Sequence, residues 1–211
     1  MQPRLPMDPT RLVEHLVAPA RKRLYIDLAG EVPIGARRVL HLDCGPADLA
    51  HAVAHYNKDV RVTGCDGDPV QTTLAKQRHR GQERLKFTRA RPEATGFDDD
   101  RFDLVVTAER WPSWEDPLAV LDEAWRILRP GGALWLLTGR GDLTEEEMRE
   151  SLDVPDLPGV YAATRAGFYL FGHSDRRIEE EIVPVFEKSR FRGASLEKRG
   201  AFALLVARKS S

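Results

Sequence analysis

Leu12, Leu16, Ala20, Leu24 and Leu28 recur every four residues, with Val13 and Val17 beside them. They draw one apolar helical face from about residue 8 to 29. Pro19 within it predicts a break or kink. Such a segment is expected to lie across a sheet edge or over a ligand mouth. The period then shortens. Residues 38–42, 60–65 and 85–88 read as strands. Between them, 47–56 reads as a helix with Leu49, Ala50, Val53 and Ala54 inward. Residues 69–81 read as another, with Val70 and Leu74 inward and Lys76, Arg78, His79 and Arg80 outward. Asp68 and Pro69 supply its N-cap and first-turn proline, and Gly81 its end. Residues 102–107, FDLVVT, are apolar almost throughout, as in a strand covered on both faces. Asp116-Pro117 then caps a helix carrying Leu118, Leu121, Ala124, Trp125 and Leu128. The RPGG run at 129–132 terminates it, and 133–138 is a fifth strand.

Beyond this point the pattern changes. Thr144 and Glu147 predict a capping box at the start of a helix over 144–152. Residues 154–173 are rich in Gly, Pro and aromatic side chains, and about 142–173 reads as an insertion over the carboxyl end of the sheet. Ile178, Ile182 and Phe186 mark a helix over 175–190, interrupted in pattern by Pro184. Residues 193–198 and 201–207 are strands joined only by Arg199-Gly200, which makes them an antiparallel hairpin. Alternating strands and helices with short connections argue an α/β, doubly wound parallel sheet with right-handed crossovers. The hairpin brings the expected count to seven strands.

The 211 residues fit one core domain, 37–211, with a helical segment, 1–36, packed on it. The 32 basic and 33 acidic residues leave a net charge of -1, so no global charge draws the chain to nucleic acid or an anionic membrane. No apolar run approaches membrane-spanning length, and the N-terminus lacks a secretory core. A cytoplasmic protein is expected. Cys44 and Cys65 each close a predicted strand without metal-site spacing, and read as buried, reduced thiols that lie close if those strands are neighbours. His51 and His55 stand one helical turn apart and read as surface histidines. No metal is expected.

Three blocks carry a family resemblance: VTGCDGDP at 62–69, the run from FDLVVT to PGGALWLLT at 102–138, and the last helix and hairpin. With them, the chain from about 37 to 209 resembles the class I S-adenosylmethionine-dependent methyltransferases, in particular their small type 11 branch. The resemblance implies a Rossmann-like seven-stranded sheet and S-adenosylmethionine as cofactor. It places Asp66 where the family holds the ribose hydroxyls, with Gly67 letting the backbone pass beside the sugar. In the family's adenine-facing turn an acidic residue is common. Here Arg91 stands at that place and cannot accept a hydrogen bond. Either Glu93 replaces it, or Arg91 and Glu93 simply pair on the surface.

The first motif departs furthest. Spaced without a gap to Asp66, His41 takes the family's acidic place, and Asp43, Gly45 and Ala47 take its three glycine places. A register shifted by two would make Asp43 the acidic residue, but it puts Leu49 in a glycine place, so the ungapped register is preferred. The Asp43 carboxylate then either crowds the methionine part of the cofactor or pairs with its ammonium, with His41 bridging through water. The expected cofactor-binding residues are His41, Asp43, Gly45, Asp66, Gly67, Glu93 and Thr107.

Glu109, just past the fourth strand, and His173 in the insertion are the expected catalytic groups. Trp111, Trp114, Tyr161 and Tyr169 could wall a substrate pocket, though ordinary packing is the favoured reading of any one of them. No Asn-Pro-Pro-Tyr-type signature follows Val106, and no basic stripe suggests RNA. A small-molecule acceptor and a monomer or homodimer are expected. Two further readings stand beside the enzyme. One is a methyltransferase fold that lost its cofactor and acts as a binding or regulatory partner. The other, ranked last, is an NAD-binding Rossmann protein, which needs the same glycines and does not suit the terminal hairpin.

Overall fold

The computed structural model describes residues 9–152 and 178–210. In chain order it holds α1 (Pro9–Gly30), β1 (Arg38–Leu42), α2 (Asp48–Tyr56), β2 (Arg61–Asp66), α3 (Pro69–Arg78), β3 (Leu85–Arg89) and β4 (Phe102–Ala108). A 3-10 turn at Trp111–Ser113 leads to α4 (Pro117–Ile127), β5 (Leu128–Gly139) and α5 (Glu145–Leu152). Two short helices, α6 (Ile178–Glu181) and α7 (Val183–Lys188), precede β6 (Ser195–Arg199) and β7 (Phe202–Arg208).

The strands form one sheet in the order β3-β2-β1-β4-β5-β7-β6. The first five are parallel, and β7 runs antiparallel between β5 and β6. This is the expected seven-stranded architecture. The order reverses beside β1, so the β1–β4 boundary is a topological switch point, where open α/β sheets take their ligands at the carboxyl ends of the strands. Alternation along the strands feeds two cores. On one face Val39, Val62, Leu104 and Val106 pack under α1, α2 and α5. On the other Leu40, Leu42, Val105 and Leu134 pack under α4, α6 and α7. Leu40, Leu104, Val105 and Leu121 are fully excluded from solvent, and each such side chain contributes about 1.5–3 kcal/mol.

Several expectations are corrected. α1 runs through Pro19 as one continuous helix. It lies on the face of α2 and brings Arg21 and Tyr25 to the mouth of the crevice. On α3, Val70 and Leu74 are 60% and 47% exposed, while Thr72 and Ala75 are buried. The N-terminal cap sets this rotation. Asp68 accepts from Val70 N (2.8 Å), and the Thr72 hydroxyl turns back to the carbonyls of Asp66 (3.3 Å) and Asp68 (3.0 Å). That places 72, 75 and 79 inward and the two apolar residues on the opposite side. His79 is accordingly buried, its Nε2 3.1 Å from the Pro46 carbonyl. It stacks on His51 at 4.8 Å between centroids, so His51 is half-buried rather than a free surface group. Leu118 is exposed at 37%.

The RPGG run does more than end α4. Leu128 already pairs with Phe102, and β5 continues through Gly131, whose φ of 76° lets the strand bend. Thr144 and Glu147 form the expected box: Thr144 N donates to Glu147 Oε2 (2.9 Å), and Glu147 N donates to Thr144 Oγ1 (3.2 Å). The helix expected over 175–190 is two short helices within the described residues, with Pro184 in the first turn of the second. Cys44 and Cys65 are neighbours through their backbones, Cys44 N donating to Cys65 O at 2.8 Å. Their thiols, however, are buried in opposite cores.

Candidate active site

The β1–α2 loop carries positive φ at three alternate residues: Asp43 (54°), Gly45 (50°) and Ala47 (67°). These are the three positions that the ungapped register assigns to glycines. The backbone keeps the left-handed conformation even where a side chain is present, at about 1–2 kcal/mol for each non-glycine residue. Backbone hydrogen bonds hold it there. Cys44 N reaches Cys65 O, Ala47 N reaches Cys44 O (2.9 Å), and His51 N starts the helix on Ala47 O (2.9 Å).

Asp66 closes β2 beside this loop and is 2% exposed. Its carboxylate is engaged within the protein. Oδ2 accepts from Gly45 N (2.8 Å) and Arg110 Nη2 (3.1 Å), and Oδ1 accepts from Asp68 N (2.8 Å). The carboxylate expected at the ribose hydroxyls is thus already occupied, and Asp66 ties the β1 loop to the β2 turn. Gly67 stands where an added Cβ would lie 3.7–3.8 Å from Arg91 and Ala90, an ordinary contact distance.

Arg110 is the residue that sequence reasoning missed. It follows β4 and crosses the crevice. Its Nε donates to the Asp43 carbonyl (3.2 Å) and lies 3.5 Å from Asp43 Oδ2, while Nη2 holds Asp66. Trp114 Nε1 donates to Asp43 Oδ2 at 3.1 Å. One guanidinium thus faces two carboxylates. Burial pushes the Asp43 carboxyl up from its usual range, against the pull of Arg110, and Asp66 adds to the rise. A detectable signal was present: an arginine two residues past the fourth strand, with Asp43 and Asp66 at the ends of the first and second strands.

His41 is buried at 3% exposure, and its Nδ1 has no hydrogen-bond partner among the described residues. Burial, with Arg110 nearby, holds its pKa down to about 3, so the ring is neutral at physiological pH. The Thr107 hydroxyl is likewise buried without a partner among those residues. Glu109 sits at φ 58° and meets Arg21 Nη1 at 3.2 Å. Together Arg21, Tyr25, His41, Asp43, Glu109 and Arg110 line a cavity of about 190 Å³. Arg91 and Glu93 pair in the open, Nε to Oε1 at 2.7 Å, which is the surface alternative. Trp111 stacks with Phe186 in the core, as ordinary packing. His173, Tyr161 and Tyr169 lie outside the described residues.

Residues 40–136 match the family model described as a methyltransferase domain. The chain is 34% identical over 113 residues to a phthiotriol/phenolphthiotriol dimycocerosates methyltransferase of Mycobacterium tuberculosis, covering 54% of this chain and 42% of the relative. It is 33% identical over 118 residues to a demethylmenaquinone methyltransferase of Thermus thermophilus, covering 55% and 52%. The chain thus spans about half the length of these curated relatives. Among solved structures, an S-adenosylmethionine-dependent methyltransferase from Methanococcus maripaludis superposes with TM-score 0.70 at 17% identity, over 100% of this chain and 98% of the other. One from Aquifex aeolicus gives 0.65 at 14%, over 96% and 99%. Residues 40–136 are thus similar to the methyltransferase domain, and the whole sheet shares the fold of these solved structures.

The cofactor of that family is S-adenosylmethionine, and the residues present suit it in three respects. The β1–α2 loop holds left-handed turns at 43, 45 and 47. The cavity beside it holds a buried imidazole nitrogen that has no partner among the described residues. An acidic and a basic side chain face each other there, matching the two charges of an amino-acid end. At about 190 Å³ the cavity is smaller than the roughly 300–1,000 Å³ of most small-molecule sites, and Arg110 is among the residues that line it.

Proposed function

We propose that this chain is an S-adenosylmethionine-dependent methyltransferase that methylates a small molecule by in-line transfer. The left-handed backbone at 43, 45 and 47, set against Asp66 at the carboxyl ends of β1 and β2, carries this reading. The cofactor supplies an electrophilic methyl group. The protein's part is to hold donor and acceptor in line and keep water out. Asp43, His41 and Gly45 lie at the amino-acid end, and Asp66 and Gly67 at the ribose. Glu109, fixed by Arg21, is the carboxylate at the cavity wall that takes the proton lost by an oxygen or nitrogen acceptor. Relatives named for phthiotriol dimycocerosates and demethylmenaquinone support a small-molecule acceptor. Among the described residues no helix is long and apolar enough to cross a membrane.

One observation favours a second reading, a fold that no longer takes cofactor and serves as a binding partner: the Arg110–Asp66 contact closes the crevice. Calorimetric titration with S-adenosylmethionine and S-adenosylhomocysteine separates the two. Binding of either, lost in Asp66→Ala, supports the enzyme. No binding at millimolar ligand overturns it and leaves the second reading.

A further inference from the structure

We propose that Asp43 and Arg110 form a clamp for the amino-acid end of the cofactor. Asp43 takes the α-ammonium, and Arg110 leaves Asp66 to take the α-carboxylate. The inference rests on the enzyme reading above.

Charge at the crevice leads to it. Asp43 and Asp66 face a single guanidinium, 3.5 and 3.1 Å away, so with both carboxylates ionised the trio carries one negative charge in excess. Glu109 and Arg21 pair with each other at 3.2 Å. The trio therefore favours a ligand with a net positive charge that also presents an anion for the guanidinium. S-adenosylmethionine is such a ligand, with an ammonium, a sulfonium and one carboxylate. Residue 41 cannot supply the anion for the ammonium. Its imidazole is neutral, and its free Nδ1 offers one lone pair and no charge. The only carboxylate on the β1–α2 loop ahead of α2 is that of Asp43. Trp114 Nε1 donates to its Oδ2 at 3.1 Å and orients it.

Arg110 is built to move at the side chain alone. Its backbone is fixed where the 3-10 turn begins, its carbonyl accepting from Ser113 N (2.9 Å) and Ser113 Oγ (2.7 Å). Its side chain is 31% exposed, against 12% for Asp43 and 2% for Asp66. A planar guanidinium suits a carboxylate bidentately. Its departure from Oδ2 of Asp66 releases an acceptor for a ribose hydroxyl, while the Gly45 and Asp68 amides keep that carboxylate in place. One side chain then couples occupancy of the amino-acid end to readiness of the ribose end.

Calorimetry with two ligands tests this. S-adenosylhomocysteine carries the amino-acid end, and 5′-methylthioadenosine lacks it. Arg110→Met and Asp43→Asn each weaken S-adenosylhomocysteine by about tenfold or more, as expected for loss of a charge-assisted hydrogen bond. Neither weakens methylthioadenosine. Arg110→Lys keeps a cation beside Asp66 should Arg110→Met not fold. It weakens S-adenosylhomocysteine several-fold and spares methylthioadenosine. Arg110 variants that bind both ligands as tightly as wild type, or more tightly, make Arg110 a plug and overturn the clamp while leaving the enzyme reading intact. Wild type that binds neither ligand overturns both.

Discussion

His41 makes the folded state acid-sensitive, and the size of the effect follows from its burial. The ring is held at a pKa of about 3 in the fold, against 6.5 for an exposed histidine. Below pH 6.5 the unfolded chain takes up a proton that the folded chain refuses, so acid pulls the equilibrium toward unfolding. The stability is fully present above the unfolded value and is lost as pH falls from 6.5 toward 3. Between pH 7.5 and 5.0 the loss is RT times the logarithm of the ratio of the two titration polynomials, or about 2 kcal/mol. His41→Leu removes the titration and keeps an apolar filling. Urea denaturation followed by tryptophan fluorescence at the two pH values gives the stability of each protein. Wild type should lose about 2 kcal/mol more than the variant on going from pH 7.5 to 5.0. His79, whose pKa is lowered first by burial, is present in both proteins and cancels. A difference below about 0.5 kcal/mol would mean that His41 is already charged in the fold or reaches water, and the argument from burial fails.

Gly64→Ala places a Cβ 2.7 Å from the Phe87 ring and 3.0 Å from Cys44 Sγ. It should cost about 1–3 kcal/mol in a thermal or urea melt. Glu123, 9% exposed, accepts from Thr95 N and from Arg126 Nε and Nη2, each at 2.8 Å. Glu123→Gln should destabilise by about 1.5–3 kcal/mol, with hydrogen exchange quickening first near residue 95. Val70→Ser and Leu74→Gln should each stay within about 0.5 kcal/mol of wild type, against the core role their spacing suggests. A loss of 2 kcal/mol would show that α3 is rotated from the orientation described.

The sheet was legible because its central strands β4 and β5 are apolar on both faces and its connections short. FDLVVT admits no other placement, and the Arg199-Gly200 link admits only a hairpin. The left-handed loop was legible through the family resemblance, whose first motif, counted back from Asp66, puts its three glycine places at 43, 45 and 47 although two hold other residues. What failed was local rotation. Periodicity assigned Val70 and Leu74 inward, but the Asp68 and Thr72 side chains set the helix by hydrogen bonds that no hydrophobic pattern encodes. The engagement of the Asp66 carboxylate within the protein was illegible for a related reason. A carboxylate at a strand end is available to a ligand only if nothing nearer takes it, and its takers, Gly45 N and Arg110, lie 21 and 44 residues away. Pairings of that range are settled by the assembled fold.

The place of β7 has a consequence for how the chain assembles. This segment, Phe202–Arg208, is the sixth strand in space although it is the seventh in sequence, wedged between β5 and β6. As the chain is made, β3, β2, β1 and β4 can pair in full while β5 presents one long bare edge of apolar residues. That edge is satisfied only when 202–208 arrives and bonds from Gly139 down to Ala133. The half that holds the crevice is thus finished early, and the half that keeps the sheet from adding foreign strands is finished last.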